Sequence, residues 1–525
     1  MLKPTIIKTP GVYIDELNGF PNAVVPVATA VPAFIGYTPQ ASYQGKSYLN
    51  VPVKITSFAD FQAFFCYPDP PVPADPAKQY NPQYYLVQQK AQPIAGDYML
   101  INGVYYSIVP DPATIYYLYN SIKLFFDNGG ANAYIVSVGT YGPPSKKPMN
   151  PGGQIINPNV KLNDLTGGLK TLVNEQEPTM YICPDATLLS VADNGTLMQE
   201  MLSQCQSMQT AVSIFDVIGG RNPDPVLYTN DIATFRANTG QTGLDYGAAY
   251  YPFIGTNVMQ NTDIDYTNLF GGDTKQLAPL LNPANNPNPA AATILNGIIH
   301  GSSLTVSQNN NALLTASSTY AVIMKHVLAD ANILPASGAM AGVITTTDNA
   351  EGPWQAPANT GIVGAASLPI RLSDTQQANL NVDAVTGKSI NAIRLFNGLG
   401  ILVWGARTLD GNSQDWRYLP VRRTLIYIEQ SCKLAMQAYV FQANDKNTWQ
   451  AVVAMISSFL TGVWKEGGLQ GAKPSDAFSV ACGLGSTMTG DDILNGIMRV
   501  TVQVAVVRPA EFIVLTLEQQ MATSS

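Results

Sequence analysis

Between residues 162 and 216 the chain alternates, at short intervals, between stretches with the period of a helix and stretches with the character of a buried strand. Leu162 to Asn174 reads as helix, Thr179-Met180-Tyr181-Ile182-Cys183-Pro184-Asp185 as strand, Asn194 to Met208 as helix and Ala211-Val212-Ser213-Ile214-Phe215-Asp216 as strand. Strands joined through helices of this length belong to a parallel or mixed sheet covered on both faces. Val24 to Tyr37, Ala133 to Val138 and Ala248 to Phe253 read as further apolar strands, and Tyr116 to Asp127, ending on Asn128-Gly129-Gly130, as a further helix. The fold class is therefore α/β, with α+β parts, and 525 residues are enough for about three domains at roughly 150 each.

The last forty residues have a different character. Arg499-Val500-Thr501-Val502-Gln503-Val504-Ala505-Val506-Val507 places valine at every second position, the pattern of a strand with one face in a core. Arg508-Pro509 stops the ladder, because proline has no N–H to donate. Glu511 to Gln519 then starts a second strand, apolar on both faces and almost at the terminus, where chains are usually polar and frayed. Such a strand is either paired within its own sheet or lent to a neighbour by strand addition. Near the other terminus, Val12-Tyr13-Ile14-Asp15-Glu16-Leu17 is a strand-like piece between Pro10 and Asn18-Gly19, with no hairpin partner nearby.

Only 12% of residues are charged, against about 25% in ordinary soluble domains. A surface so poor in charge suggests that much of it is covered by other subunits, or that the product is a durable particle. The net charge is −8, and no run of Lys or Arg exceeds two, which argues against a nucleic-acid groove or an anionic-membrane patch. The five cysteines, Cys66, Cys183, Cys205, Cys432 and Cys482, are dispersed and odd in number, so they read as free thiols and not as a disulfide frame or a zinc site. Asn447 to Trp464 lacks charge over 18 positions but carries Gln450, Ser457 and Thr461 on one helical face; it reads as an amphipathic helix and not as a membrane span.

No catalytic constellation emerges. There are two histidines, His300 and His326, and no HExxH or GxSxG motif. Thr386-Gly387-Lys388-Ser389 ends like a phosphate-binding loop, but the position of the loop's first glycine holds Val382, so it reads as a turn. Gly398-Leu399-Gly400 lacks the third glycine of a dinucleotide fingerprint and leads into a strand. Asp491 and Asp492 are accounted for by the helix N-terminus they occupy after Thr489. No catalytic residue, cofactor site or metal site is expected.

The C-terminal third resembles the sheath proteins of contractile phage tails and related injection machines. The residues that carry the resemblance are Pro420 to Ser431, Asn444-Asp445 with Trp449, Ser458-Phe459-Leu460, Trp464, Gly468 to Ala472, Thr487-Met488-Thr489 and Val507 to Phe512. Upstream, Leu334 to Val343 and Gly352 to Asn359 are similar to the family's central motif, and Thr9 to Ile14 and Phe126 to Gly130 to its N-terminal ones. The resemblance implies a core domain built from the N- and C-terminal parts of the chain, with outer α/β domains inserted. The expected division is a 1–25 arm, 26–66 core, 67–115 insertion, 116–256 middle domain, 257–316 insertion, 317–360 end of the middle domain, 361–507 core and a 508–525 arm.

The resemblance further implies that Val12, Tyr13, Ile14, Asp15, Glu16 and Leu17 at one end, and Phe512, Ile513, Val514, Leu515, Thr516 and Leu517 at the other, are strand arms that join sheets in adjacent subunits. The implied function is a sheath subunit that polymerises in six-fold rings around an inner tube and contracts to drive the tube through a target envelope. The implied partners are other copies of the chain, the inner tube protein, and baseplate and terminator proteins. Assembly would take place in the bacterial cytoplasm, within a virion tail or a released or membrane-anchored injection particle. Lys465 and Glu466, just past the long helix, are candidate tube contacts. The alternative is a non-contractile, adhesin-like surface protein with donated strands.

Overall fold

The computed structural model describes residues 23–67, 80–93 and 98–514. Contacts divide the chain into a large unit, 28–427 with 507–525, and a small one, 1–27 with 428–506.

The large unit is built on a nine-stranded sheet. Its strands in chain order are β1 (Pro32–Thr38), β2 (Val53–Ile55), β3 (Ala133–Thr140), β4 (Met180–Ile182), β5 (Val212–Asp216), β6 (Gly247–Tyr251), β7 (Thr360–Gly361), β8 (Asn391–Phe396) and β9 (Gly400–Trp404). Their order across the sheet is β7-β9-β8-β6-β5-β4-β1-β3-β2. β3, β1, β4, β5, β6 and β8 run parallel, with antiparallel β2 at one edge and the β8–β9 hairpin with β7 at the other. The five strands β1, β3, β4, β5 and β6 thus take the 2-1-3-4-5 order of a doubly wound sheet. Every residue of β1, β4, β5 and β6 is buried, as parallel strands with helices on both faces require.

The covering helices begin and end where local chemistry dictates. Ser190 caps helix Val191–Met208 by accepting from the Asp193 N–H, and Gln209 closes it in the left-handed conformation. Ser57 caps Phe58–Phe65 in the same way. Helix Ser337–Glu351 lies against Leu118–Asp127 so closely that a Cβ on Gly338 would sit 2.4 Å from the Ser121 carbonyl oxygen, and one on Gly342 2.6 Å from that of Phe125. The small-residue motif Leu334 to Val343 is therefore a helix-packing surface.

In a doubly wound sheet the crevice beyond the carboxyl ends of the two central strands is where ligands bind. Here, between the ends of β1 and β4, it holds the protein's own carboxylate. Asp185 Oδ2 accepts from the Tyr37 N–H (2.9 Å), and Oδ1 accepts from Tyr117 (2.7 Å) and Leu118 (3.3 Å) at the N-terminus of helix Leu118–Asp127. Burial pushes its pKa up to about 6, against the pull of those three N–H groups. Asp185→Asn turns one oxygen into an NH2 group that faces an N–H. This should lower the stability of the large unit by about 1–3 kcal/mol, read as a lower melting temperature.

The small unit contains helix Lys446–Lys465, which buries Val452, Met455, Ile456, Leu460 and Val463 on one face. This is the amphipathic helix read from the sequence. Among the described residues no single helix is long and apolar enough to cross a membrane. β10 (Phe478–Ala481) and β11 (Thr501–Val504) form a two-stranded antiparallel sheet.

β1 from the 26–66 stretch lies between β3 and β4, β8 and β9 from the 361–507 stretch extend the same sheet, and the contact boundaries fall at 27/28, 427/428 and 506/507. Val24 to Tyr37 begins as a strand only at Pro32. The 67–115 insertion contains an antiparallel sheet of Tyr84–Gln89, Val104–Pro110 and Tyr98–Ile101, turned at Asn102-Gly103 with both residues at positive φ; its proline-rich 68–79 lies outside the described residues. The Asn- and Pro-rich 257–295 stretch is ordered as short helical turns capped by Asp265, Asp273 and Asn288, and leads into helix Pro289–Ile299. Its Asn and Asp side chains serve there as caps.

Candidate assembly site

The β10–β11 ladder has a definite phase. The Ala505 N–H donates to the Ala477 carbonyl, so Gln503 and Thr501 also turn their main-chain groups toward β10, while those of Val502 face away. No further strand pairs with either edge of this sheet among the described residues. Past Val504 the ladder is continued by Leu469 and Gln470, the Gln470 N–H reaching the Ala505 carbonyl at 2.7 Å. Alternation along β11 is as the sequence indicates, but Val502 and Val504 are only half-buried. Two strands cannot close a core over a valine row.

Beside the start of β11 lies a groove of about 1010 Å3, lined by Met436, Tyr439, Phe441, Met498, Val500 and Thr501. Phe441 is fully exposed and adopts positive φ.

The motif residues of the C-terminal third hold this unit together. Asp445 caps Lys446–Lys465 through the Asn447 and Thr448 N–H groups, Trp449 Nε1 donates to Asn444 Oδ1 (2.7 Å), and Asn444 Nδ2 donates to the Ile497 carbonyl. Trp464 Nε1 reaches the Gly471 carbonyl (2.9 Å), and Thr487 Oγ1 the Arg499 carbonyl (2.7 Å). Thr489 and Asp492 form a capping box, with Asp492 also accepting from Arg499. The main-chain N–H of Val27 donates to Ser431 Oγ, tying the N-terminal stretch to the same unit.

Of the C-terminal strand residues, Phe512, Ile513 and Val514 are 71%, 87% and 89% exposed and belong to no strand. Leu515, Thr516 and Leu517, like Val12 to Leu17, lie outside the described residues. Lys465 and Glu466 are exposed at the C-terminal end of their helix.

The residues that the sequence reading missed are paired charges, buried or partly so. Glu511, immediately before the exposed run, receives Arg407 Nη2 (2.6 Å), Arg407 Nε (3.0 and 3.1 Å), Asn381 Nδ2 (2.7 Å) and Tyr418 OH (3.2 Å). In the Arg422-Arg423 pair, Arg423 is bidentate to Asp348, while Arg422 pairs with Asp245 and lies over the Trp416 ring at 3.7 Å. The available signal was the scarcity of charge: on a chain this lean in ions, an arginine inside an apolar stretch is already conspicuous.

The motifs weighed for chemistry take the following places. Lys388 Nζ donates to the Arg236 carbonyl (2.5 Å). Gly398 and Gly400, both at positive φ, form the β8–β9 hairpin turn. His300 ends helix Pro289–Ile299, its Nδ1 paired with the Asn296 carbonyl. Among the described residues no cluster of His, Cys, Asp or Glu could hold a metal ion.

Among the described residues, then, a doubly wound unit carries paired charges and the exposed run 512–514, and a small unit carries a two-stranded sheet without a third strand. The kind of protein follows from comparison. Residues 412–520 match the phage tail sheath C-terminal domain. A tail sheath protein of Vibrio phage KVP40 is 28% identical over 139 residues, 26% of this chain but only about a fifth (20%) of that protein's length. Over almost the whole chain the fold is that of the sheath subunit in the contracted PVC sheath complex of an extracellular contractile injection system (25% identity, TM-score 0.57, covering 98% of this chain and 99% of that one). The contracted helical sheath of the anti-feeding prophage has the same fold (24% identity, TM-score 0.57, 98% and 100% covered). This chain thus has a sheath-type C-terminal domain within a whole-length contractile-sheath fold.

Proposed function

We propose that the chain is the structural sheath subunit of a contractile injection machine. It polymerises as a helical stack of rings around an inner tube and, on a trigger from the baseplate, moves into a shorter, wider lattice that drives the tube forward. The observation that carries this reading is the pairing of an open β10–β11 edge with an apolar strand-forming tail left in solvent, on a chain whose fold matches sheath subunits over nearly its full length. Among the described residues neither edge of that sheet carries a third strand, and the terminal segments Val12 to Leu17 and Phe512 to Leu517 have the sequence pattern of strands that could supply one. Exchange between copies satisfies both. A main-chain hydrogen bond contributes only about 0.5–1.5 kcal/mol net, but several per arm repeated around every ring make a durable mesh.

Contraction on this reading draws on contacts formed in the second lattice and needs no catalytic residue. Lys465 and Glu466, exposed and of opposite charge at one helix end, remain the proposed contacts to the tube, where a sparse polar interface would let sheath and tube slide apart. Electron microscopy of the full chain expressed alone should show tubes of stacked rings. Monomers at high concentration, or flat surface arrays, would refute the sheath reading, the arrays favouring an adhesin-like protein.

A further inference from the structure

The C-terminal segment leaves the small unit at Val506 and is gripped shortly afterwards by the large one. The grip is Glu511, whose two carboxylate oxygens are filled by Arg407, Asn381 and Tyr418. Arg407 is itself held rigidly. Its Nη1 donates to the Asn381 carbonyl (3.1 Å), its main-chain N–H to Asn391 Oδ1 (2.8 Å), and Asn391 Nδ2 donates back to the Arg407 carbonyl (2.8 Å). One residue later the chain is in solvent. Phe512, Ile513 and Val514 add nothing to the core of the large unit, so a site this complete serves whatever pulls on the segment that follows.

We infer that Glu511 and Arg407 form a mechanical anchor that fixes the root of the C-terminal arm to the large unit, so that a pull by a second copy of this chain is delivered there and does not peel β11 from β10. The inference rests on the strand exchange proposed above. Its physical basis is the mode of loading. Peeling an edge strand breaks neutral hydrogen bonds one after another, whereas a bidentate guanidinium–carboxylate pair with two further donors resists as a unit. Burial alone would raise the Glu511 pKa, but the Arg407 and Asn381 hydrogen bonds and the Arg407 charge hold it below the usual carboxylate range. The anchor is therefore intact at neutral pH and is lost only as pH falls through that lowered value.

The test compares four preparations: the wild-type chain, Glu511→Gln, Arg407→Lys, and a chain ended after Glu511. In Glu511→Gln, hydrogen exchange at residues 507–514 should rise by about ten- to a hundredfold, with the rest of the large unit unchanged. Tubes formed by this variant should fragment under shear that wild-type tubes withstand, and Arg407→Lys, which keeps the charge but not the fork, should fall between the two. If the shortened chain assembles as wild type does, the strand exchange itself fails, and the anchor with it. If the shortened chain cannot assemble while Glu511→Gln exchanges at the wild-type rate and its tubes survive the same shear, the anchor alone is overturned. Faster exchange throughout the large unit would overturn it equally, by making the pair an ordinary structural bridge.

Discussion

Replacing Arg423 by alanine should destabilise the large unit by about 3–5 kcal/mol, among the largest effects a single substitution can have here. Arg423 Nη1 and Nη2 donate to the two oxygens of Asp348 at 2.8 and 2.6 Å, and Nη2 also reaches the Thr29 carbonyl at 2.9 Å. The two side chains are 4% and 1% exposed. Alanine leaves a carboxylate in the interior with neither water nor partner. Asp348 also lies in the last turn of helix Ser337–Glu351, where the helix dipole already disfavours negative charge. The loss belongs to the orphaned charge and not to the pair. Arg423→Met combined with Asp348→Leu should therefore recover most of it. Calorimetry of the three proteins decides the matter: a single substitution costing under about 1 kcal/mol would mean that the site relaxes or admits water.

The second large effect separates folding from assembly. Val502→Pro should leave the subunit folded while abolishing tube formation, and Gln503→Pro should damage the small unit itself. The two positions are adjacent but opposite in the ladder: the Val502 N–H faces away from β10, whereas that of Gln503 faces it. Proline tolerates an edge position whose N–H is outward and is costly where the N–H is in use. The expected pattern is a melting temperature near wild type with no tubes on electron micrographs for Val502→Pro, and a lowered melting temperature for Gln503→Pro. Normal tubes from Val502→Pro would show that this edge accepts no strand in the assembly.

Much of the fold was legible because its signals are local. The helix start at Thr489, the helix stop at Asn128-Gly129-Gly130 and the apolar strands from Ala133 to Phe253 each announce themselves within a few residues. Pairing is not local. That β1 would sit between β3 and β4 depends on which strands meet, and periodicity is blind to partners. The same holds for the charges. Glu511 finds Arg407 104 positions upstream and Arg423 finds Asp348 75 positions away, so neither partnership could be read from spacing. The Val-rich strand was legible in phase but not in burial, because the depth of its surroundings is set by how many strands lie beside it.

Asp185 has a further consequence. Sheets of this order commonly keep their central crevice for a guest, and their rigidity then varies with whether the guest is present. Here the acid is built in, so the N–H groups at this crevice are already satisfied by the chain itself. If the proposed sheath function holds, the sheet that would carry force needs no guest to complete it, and every copy enters the lattice in the same state.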